Sequence, residues 1–130
     1  MFKNNLLRIF TIDVDMKTIG KNINTKALFN TKDYKTSILK FNLSMDNKPL
    51  DISNCKVIVR ILKGNKDKVE IEGKILDAEN GVVIVGLNKR ALECIGENWV
   101  ELLVQYNEQK LYSPRMYYTV SNNIYGKGDA

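Results

Sequence analysis

The chain is 130 residues long, 44% apolar and 27% charged, and its 20 Lys and Arg against 15 Asp and Glu give a net charge of +5. That is the composition of an ordinary soluble globular protein able to bury roughly two-thirds of its unfolded surface, and no segment approaches the ~20 apolar residues of a membrane span. The complete absence of histidine removes the commonest general base, the Ser-His-Asp and Cys-His arrangements and most transition-metal sites, and the two cysteines fall short of the four ligands of structural zinc.

Residues 1–7 read as a loosely held lead-in without the unbroken apolar centre of a secretory signal. Synthesis in the cytoplasm is therefore expected, with Cys55 and Cys94 as buried free thiols in preference to a disulfide. Phe10, Ile12 and Val14 alternate with Thr11, Asp13 and Asp15, which predicts a first strand over 8–15. A connection around Gly20 leads to a second strand over 23–30, and a polar turn at 31–35 to a third over 38–43. Asp46-Asn47-Lys48-Pro49 is turn chemistry, because Asp and Asn bond their own backbone and Pro49 pushes Lys48 into an extended conformation. A fourth strand over 56–62 turns back at Gly64-Asn65-Lys66-Asp67 into a strand over 69–75.

The stretch 69–87 is the one around which the chain is organised: two apolar runs joined by Asp77-Ala78-Glu79-Asn80-Gly81. Asn and Gly tolerate positive φ, so Asn80-Gly81 predicts a β-hairpin, and the continuous run Val82, Val83, Ile84, Val85 predicts a strand with apolar neighbours on both faces, near the middle of a sheet. Over 89–95 the period changes: Ala91, Leu92, Cys94 and Ile95 fit one side of a short helix or turn, with Gly96 where a C-terminal cap belongs. Lys89 and Arg90 oppose the dipole of such a helix, which limits it to one or two turns. Further strands follow over 100–106 and 111–120, the last interrupted at Pro114, whose missing amide argues for an edge, a bulge or a break.

About eight short strands with regular turn signals and no βαβ alternation predict an all-β fold, an antiparallel β-sandwich of Ig-like class, over residues 1–120. A small barrel of the oligonucleotide-binding type is the structural alternative. Residues 121–130 read as a C-terminal tail or the start of a linker.

No cluster in the sequence demands chemistry. Lys63, Lys66 and Lys68 crowd one hairpin tip near Lys89 and Arg90, but the lysines are spread along the whole chain and few stand beside aromatics, which argues against nucleic-acid binding. The carboxylate pairs Asp13/Asp15 and Glu70/Glu72 have the spacing of a glycosidase acid and base, yet outward charges on strands alternate in the same way, so solvated ladders are the better reading. Asp77, Glu79 and Asn80 are explained by the turn without Ca²⁺. No enzyme activity, cofactor or metal is expected. The aromatics gather towards the C-terminal end, and alternation forces one of Tyr117 and Tyr118 outward. Phe2, Leu6, Trp99, Tyr118 and Tyr125, with Met116, are read as partner-contact residues on a surface near the two termini.

Asn30-Thr31-Lys32-Asp33, LKFNLSMDNKPLDIS from Leu39, GKILDAENGVV from Gly73, Ala91-Leu92 before Gly96, VELLVQY and YSPRMYYTV follow one another in an order and spacing that resembles the N-terminal domain of the phage baseplate upper protein family. The resemblance implies a β-sandwich adaptor in the virion tail of phages and prophages of Gram-positive hosts. It implies anchoring of a distal receptor-binding or fibre portion to the baseplate by contact with other tail proteins. It further implies trimers in at least some members, no catalytic motif, no nucleic acid and no membrane. A carbohydrate- or cell-wall-binding sandwich, with Trp99 or Tyr118 stacked on sugar rings, is the competing expectation.

Overall fold

A computed structural model describes residues 6–122, in which the strands are β1 (Arg8–Asp15), β2 (Ile23–Asn30), β3 (Ser37–Met45), β4 (Lys48–Pro49), β5 (Lys56–Leu62), β6 (Lys68–Glu72), β7 (Lys74–Asp77), β8 (Val82–Gly86), β9 (Gly96–Tyr106), β10 (Gln109–Tyr112) and β11 (Met116–Ser121). They form two sheets packed face to face. One runs β1-β3-β8-β7 with β4 paired to β3, and the other runs β2-β11-β9-β5-β6 with β10 paired to β9. The sandwich is all-β as expected, and each sheet is mixed: β1 pairs parallel with β3 and β2 pairs parallel with β11, while the other pairs are antiparallel. Among the described residues no helix is long and apolar enough to cross a membrane.

Side chains alternate across a strand, so one face of each ribbon meets the other sheet. From β1 come Ile12 and Val14, from β3 Leu39, Phe41 and Leu43, from β5 Val57, Val59 and Ile61, and from β9 Val100, Leu102 and Val104, all buried in one contiguous cluster. Phe29 sits within it, edge-to-face with Phe10 at 5.3 Å and with Tyr118 at 6.2 Å between ring centroids. Packing of this kind supplies most of the favourable free energy of a small sandwich.

Two expectations about the elements are corrected by the packing. The hairpin over 69–87 is not central as a unit: β8 lies inside its sheet between β3 and β7, but β7 is an edge strand. Val83 and Val85 are buried, whereas Val82 and Ile84 face outward and are only half-covered. The predicted strand over 69–75 is two strands in different sheets, divided at Gly73, whose amide donates to the Val57 carbonyl at 2.8 Å. A Cβ at Gly73 would stand 2.8 Å from Val83 Cγ1, so only glycine lets the chain pass that closely between the sheets.

The short helix or turn expected over 89–95 is present as a single 3-10 turn at Arg90–Leu92. It buries Ala91 and Leu92 but leaves Ile95 exposed. Of the edge, bulge or break expected at Pro114, the structure shows a break: the strand over 111–120 parts at Ser113-Pro114-Arg115, so that β10 and β11 lie end to end along the same side of β9. Ser113 repairs the gap: its amide donates to the Leu102 carbonyl at 2.9 Å, and its Oγ accepts the Leu102 amide at 2.8 Å.

The turns behave as their residues require. Asp46 and Asn47 both take positive φ, the conformation of a tight two-residue hairpin turn, between Met45 and Lys48, which pair. Asn80 accepts no such strain; its side chain donates to Asp77 at 2.8 Å, and Gly81 alone carries the positive φ of +69°.

Candidate interaction surface

The outer face of the six-stranded sheet carries an unusual row of side chains. Register sets Arg60 opposite both Glu70 and Glu101, Leu62 opposite both Lys68 and Trp99, and Trp99 opposite Tyr117. All of these lie on the side away from the core, because their neighbours Val59, Ile61, Val100 and Met116 point inward. Trp99 and Tyr117 meet edge-to-face at 5.2 Å. The Arg60 guanidinium lies 3.6 Å from Glu70, 3.8 Å from Glu101 and 5.7 Å from the Tyr112 ring centroid. Where β11 begins beside β2, the sheet is hollowed into a cleft of about 430 Å³, lined by Asn22, Arg60, Leu62, Glu70, Trp99 and Arg115 among others.

At the end of the sheet next to this face, the β5–β6 turn packs on the 3-10 turn through charge. The Lys63 side chain is fully shielded from solvent, with its Nζ 2.5 Å from Glu93 Oε1 and 3.4 Å from Asp67 Oδ2. Burial alone pulls the Lys63 ammonium down, but the hydrogen bonds from Glu93 and Asp67 outweigh it and hold its pKa above the ordinary lysine value. Asp67 is also bonded by Arg90 at 2.9 Å, and Arg90 followed by Lys63 holds its carboxyl below the usual range. Beneath them Asn98 is fully buried. It accepts the Gly64 amide at 3.1 Å and donates to the Cys94 carbonyl at 3.0 Å. Two members of the basic cluster seen in the sequence, Lys63 and Arg90, are thus consumed internally.

The residues singled out in the sequence do not come together as one surface. Trp99 is half-exposed on the outer face just described. Tyr118 is the inward member of its pair: it is fully buried and donates from its hydroxyl to the Ala91 carbonyl at 2.6 Å, so a partner cannot reach it and Tyr117 takes the outward place. Its phenol is pushed well above the ordinary tyrosine value by burial. Met116 is likewise core. Leu6 is exposed ahead of β1, on the other sheet from Trp99. Phe2 and Tyr125 lie outside the described residues. Missed in the sequence were Arg60, Leu62, Lys68, Arg115 and Tyr117; an arginine in the middle of the apolar strand 56–62 was the one local signal.

The candidate reactive groups have structural partners. Asp13 accepts from Asn42 at 3.0 Å, Asp15 caps the turn through the Lys17 amide at 3.0 Å, and Glu70 faces Arg60. Cys55 and Cys94 are free and half-buried, and burial, followed by Asp51, raises the Cys55 thiol, which makes it a poor nucleophile at neutral pH.

The comparisons with known proteins agree with this architecture. The family model of the BppU N-terminal domain matches residues 9–129. Among solved structures, the N-terminal domain of phage TP901-1 ORF48 is similar, with a TM-score of 0.72 at 13% identity over 87% of this chain and 98% of that chain. At that identity the likeness is one of fold. No curated protein sequence matches the chain.

Proposed function

This chain belongs to the BppU (baseplate upper protein) N-terminal domain family, and on that premise we propose that it is an adaptor that anchors a distal receptor-binding or fibre portion to the baseplate. Membership makes it a structural component of the phage tail that associates with other baseplate proteins. The match over residues 9–129 is the observation that carries the reading. Two further features support it. The charged and polar groups with definite geometry, Lys63 with Glu93 and Asp67, Asn98, and Ser113, brace turns and strand breaks. Most of the side chains left for recognition, Arg60, Leu62, Lys68, Trp99 and Tyr117, stand on strands, which hold a contact surface more rigidly than loops.

The adaptor works by shape and contact. Phages and prophages of Gram-positive bacteria are the proposed setting, with the protein made in the host cytoplasm and assembled, as a trimer in the particle, into the virion tail. Electron microscopy of tails from a phage deleted for the full-length protein tests this. The expected particle keeps its baseplate core and loses the peripheral density; a peripheral density that persists without the protein would refute the anchoring role. Native mass measurement of the purified full-length protein tests the trimer.

A further inference from the structure

We infer that the cleft beside Trp99 is the docking site for an acidic segment of a neighbouring baseplate protein. The inference rests on the adaptor reading and adds to it the face and the chemistry of the contact.

The charges of the cleft are unequally satisfied. Both of its carboxylates, Glu70 and Glu101, are drawn to the single guanidinium of Arg60. Lys68 and Arg115 also line the cleft, and among the described residues neither side chain makes an ion pair or hydrogen bond. Two carboxylates against one guanidinium leave the centre at −1, and the two uncommitted cations that flank it bring the cleft to a net charge of +1. The complementary ligand is anionic, and a planar carboxylate suits the fork of Arg115.

The floor between the cations is apolar and aromatic. Leu62, 39% exposed, lies next to Trp99 in register, and Tyr117 fixes the tryptophan ring from the side. Trp, Tyr and Arg are the residue types that carry most binding energy at protein interfaces. Here Trp99 and Tyr117 stand on the hydrogen-bonded strands β9 and β11 and need little ordering on contact, while Arg115 lies in the break just before β11. The outer face of the other sheet differs: its middle rows are Thr11, Lys40, Ile84 and Lys74, then Asp13, Asn42 and Val82, with no aromatic among them. A protein segment with Asp or Glu beside an apolar side chain fits the cleft in both charge and surface.

Tails isolated from a phage deleted for this protein provide the probe, with full-length protein added back and its co-sedimentation measured. Wild type is expected to bind, more weakly as salt is raised. The double variant K68E/R115E is expected to bind roughly tenfold or more weakly, as charge reversal at an interface does. K40E/K74E on the opposite face is expected to match wild type. Far-UV circular dichroism confirms that each variant is folded. Equal binding by all three proteins overturns the inference and leaves the adaptor reading intact, whereas failure of wild type to bind refutes the adaptor reading itself. Trp99 is the only tryptophan in the chain, so its fluorescence reports on the cleft directly. A saturable shift of that emission with soluble host cell-wall glycan would assign the cleft to a saccharide and overturn the inference.

Discussion

The Lys63 ammonium and the Glu93 carboxylate meet at 2.5 Å, joining the β5–β6 turn to the 3-10 turn across a separation of 30 residues. The lysine is wholly enclosed and the glutamate is 53% exposed, so the pair differs from one sealed in a core. Removing the acid strands a buried cation, whereas removing the base leaves carboxylates that water can still solvate. We expect the double variant Glu93→Ala with Asp67→Ala to lose more stability than Lys63→Met. Urea unfolding of the three proteins checks the order; a Lys63→Met loss equal to or larger than that of the double variant contradicts it.

The same cluster sets a pH window. Lys63 has its folded pKa raised above the ordinary 10.5, so its contribution is complete below 10.5 and is lost as pH rises through the higher folded value. Asp67 is lowered from 3.8, so its contribution is complete above 3.8 and disappears as pH falls through the lower folded value. Unfolding midpoints of wild type and Lys63→Met should run parallel near neutrality and converge above pH 10.5. Tyrosine titration is common to both proteins and cancels in the difference. A gap between them that is unchanged at high pH would exclude the Lys63 linkage.

The alternation of Phe10, Ile12 and Val14, or of Val57, Val59 and Ile61, was enough to mark strands and their buried faces, since period two is a local property of the chain. Which strands become neighbours is not local. The parallel pairs β1/β3 and β2/β11 leave no trace in either partner's sequence. Gly73 reads as one weak position in a strand, and its role as the crossing point between sheets depends on Val57, Val59 and Val83 from elsewhere. Enclosure of Lys63 is not legible in its own stretch, because lysine is almost never enclosed without partners and Glu93, its closest, lies far along the chain. Tyr117 and Tyr118 could be read either way because parity within a strand settles alternation and not direction. The pairing of Tyr118 with buried Asn98 decides it.

Gly81 and Gly20 both take positive φ, at +69° and +86°, yet they should respond very differently to alanine. A Cβ at Gly81 would lie 2.6 Å from the carbonyl oxygens of both Leu43 and Leu50, which are backbone atoms of β3 and the segment after β4, whereas nothing lies within 4 Å at Gly20. Gly20→Ala should cost only the left-handed strain, about 1–2 kcal/mol. Gly81→Ala adds displacement of the strand and should cost about 3 kcal/mol or more. Thermal melts of the two variants separate strain from collision, and equal losses would show that the carbonyls yield freely.

Gly73→Ala offers a test of the sheet crossing. The new methyl would meet Val83 Cγ1 at 2.8 Å, an overpacking that should cost about 1–3 kcal/mol. Val83→Ala alone removes buried volume and should cost about 2–3 kcal/mol. In the double variant the new methyl at 73 enters space vacated by the Val83 Cγ1, so it should be more stable than the sum of the single losses predicts, by about 0.5 kcal/mol or more. A strictly additive cycle would mean that Gly73 tolerates a side chain by moving away from Val83.

Ser113 is 5% exposed and stands where two strands would otherwise leave a gap, with Pro114 next to it unable to donate an amide. Its Oγ accepts the Leu102 amide at 2.8 Å and donates to the Pro114 carbonyl at 2.8 Å, so one hydroxyl satisfies two backbone groups. Ser113→Ala leaves both buried without that partner and should cost about 1–3 kcal/mol. The loss should be local as well as global: amide exchange at Leu102 should accelerate by more than the change in overall stability requires, since no other acceptor lies ready for it. Exchange at Val59 and Ile61, in the neighbouring β5, should follow global stability alone. If Leu102 exchange tracked Val59 and Ile61 in the variant, the hydroxyl would not be the group that holds the break between β10 and β11 closed.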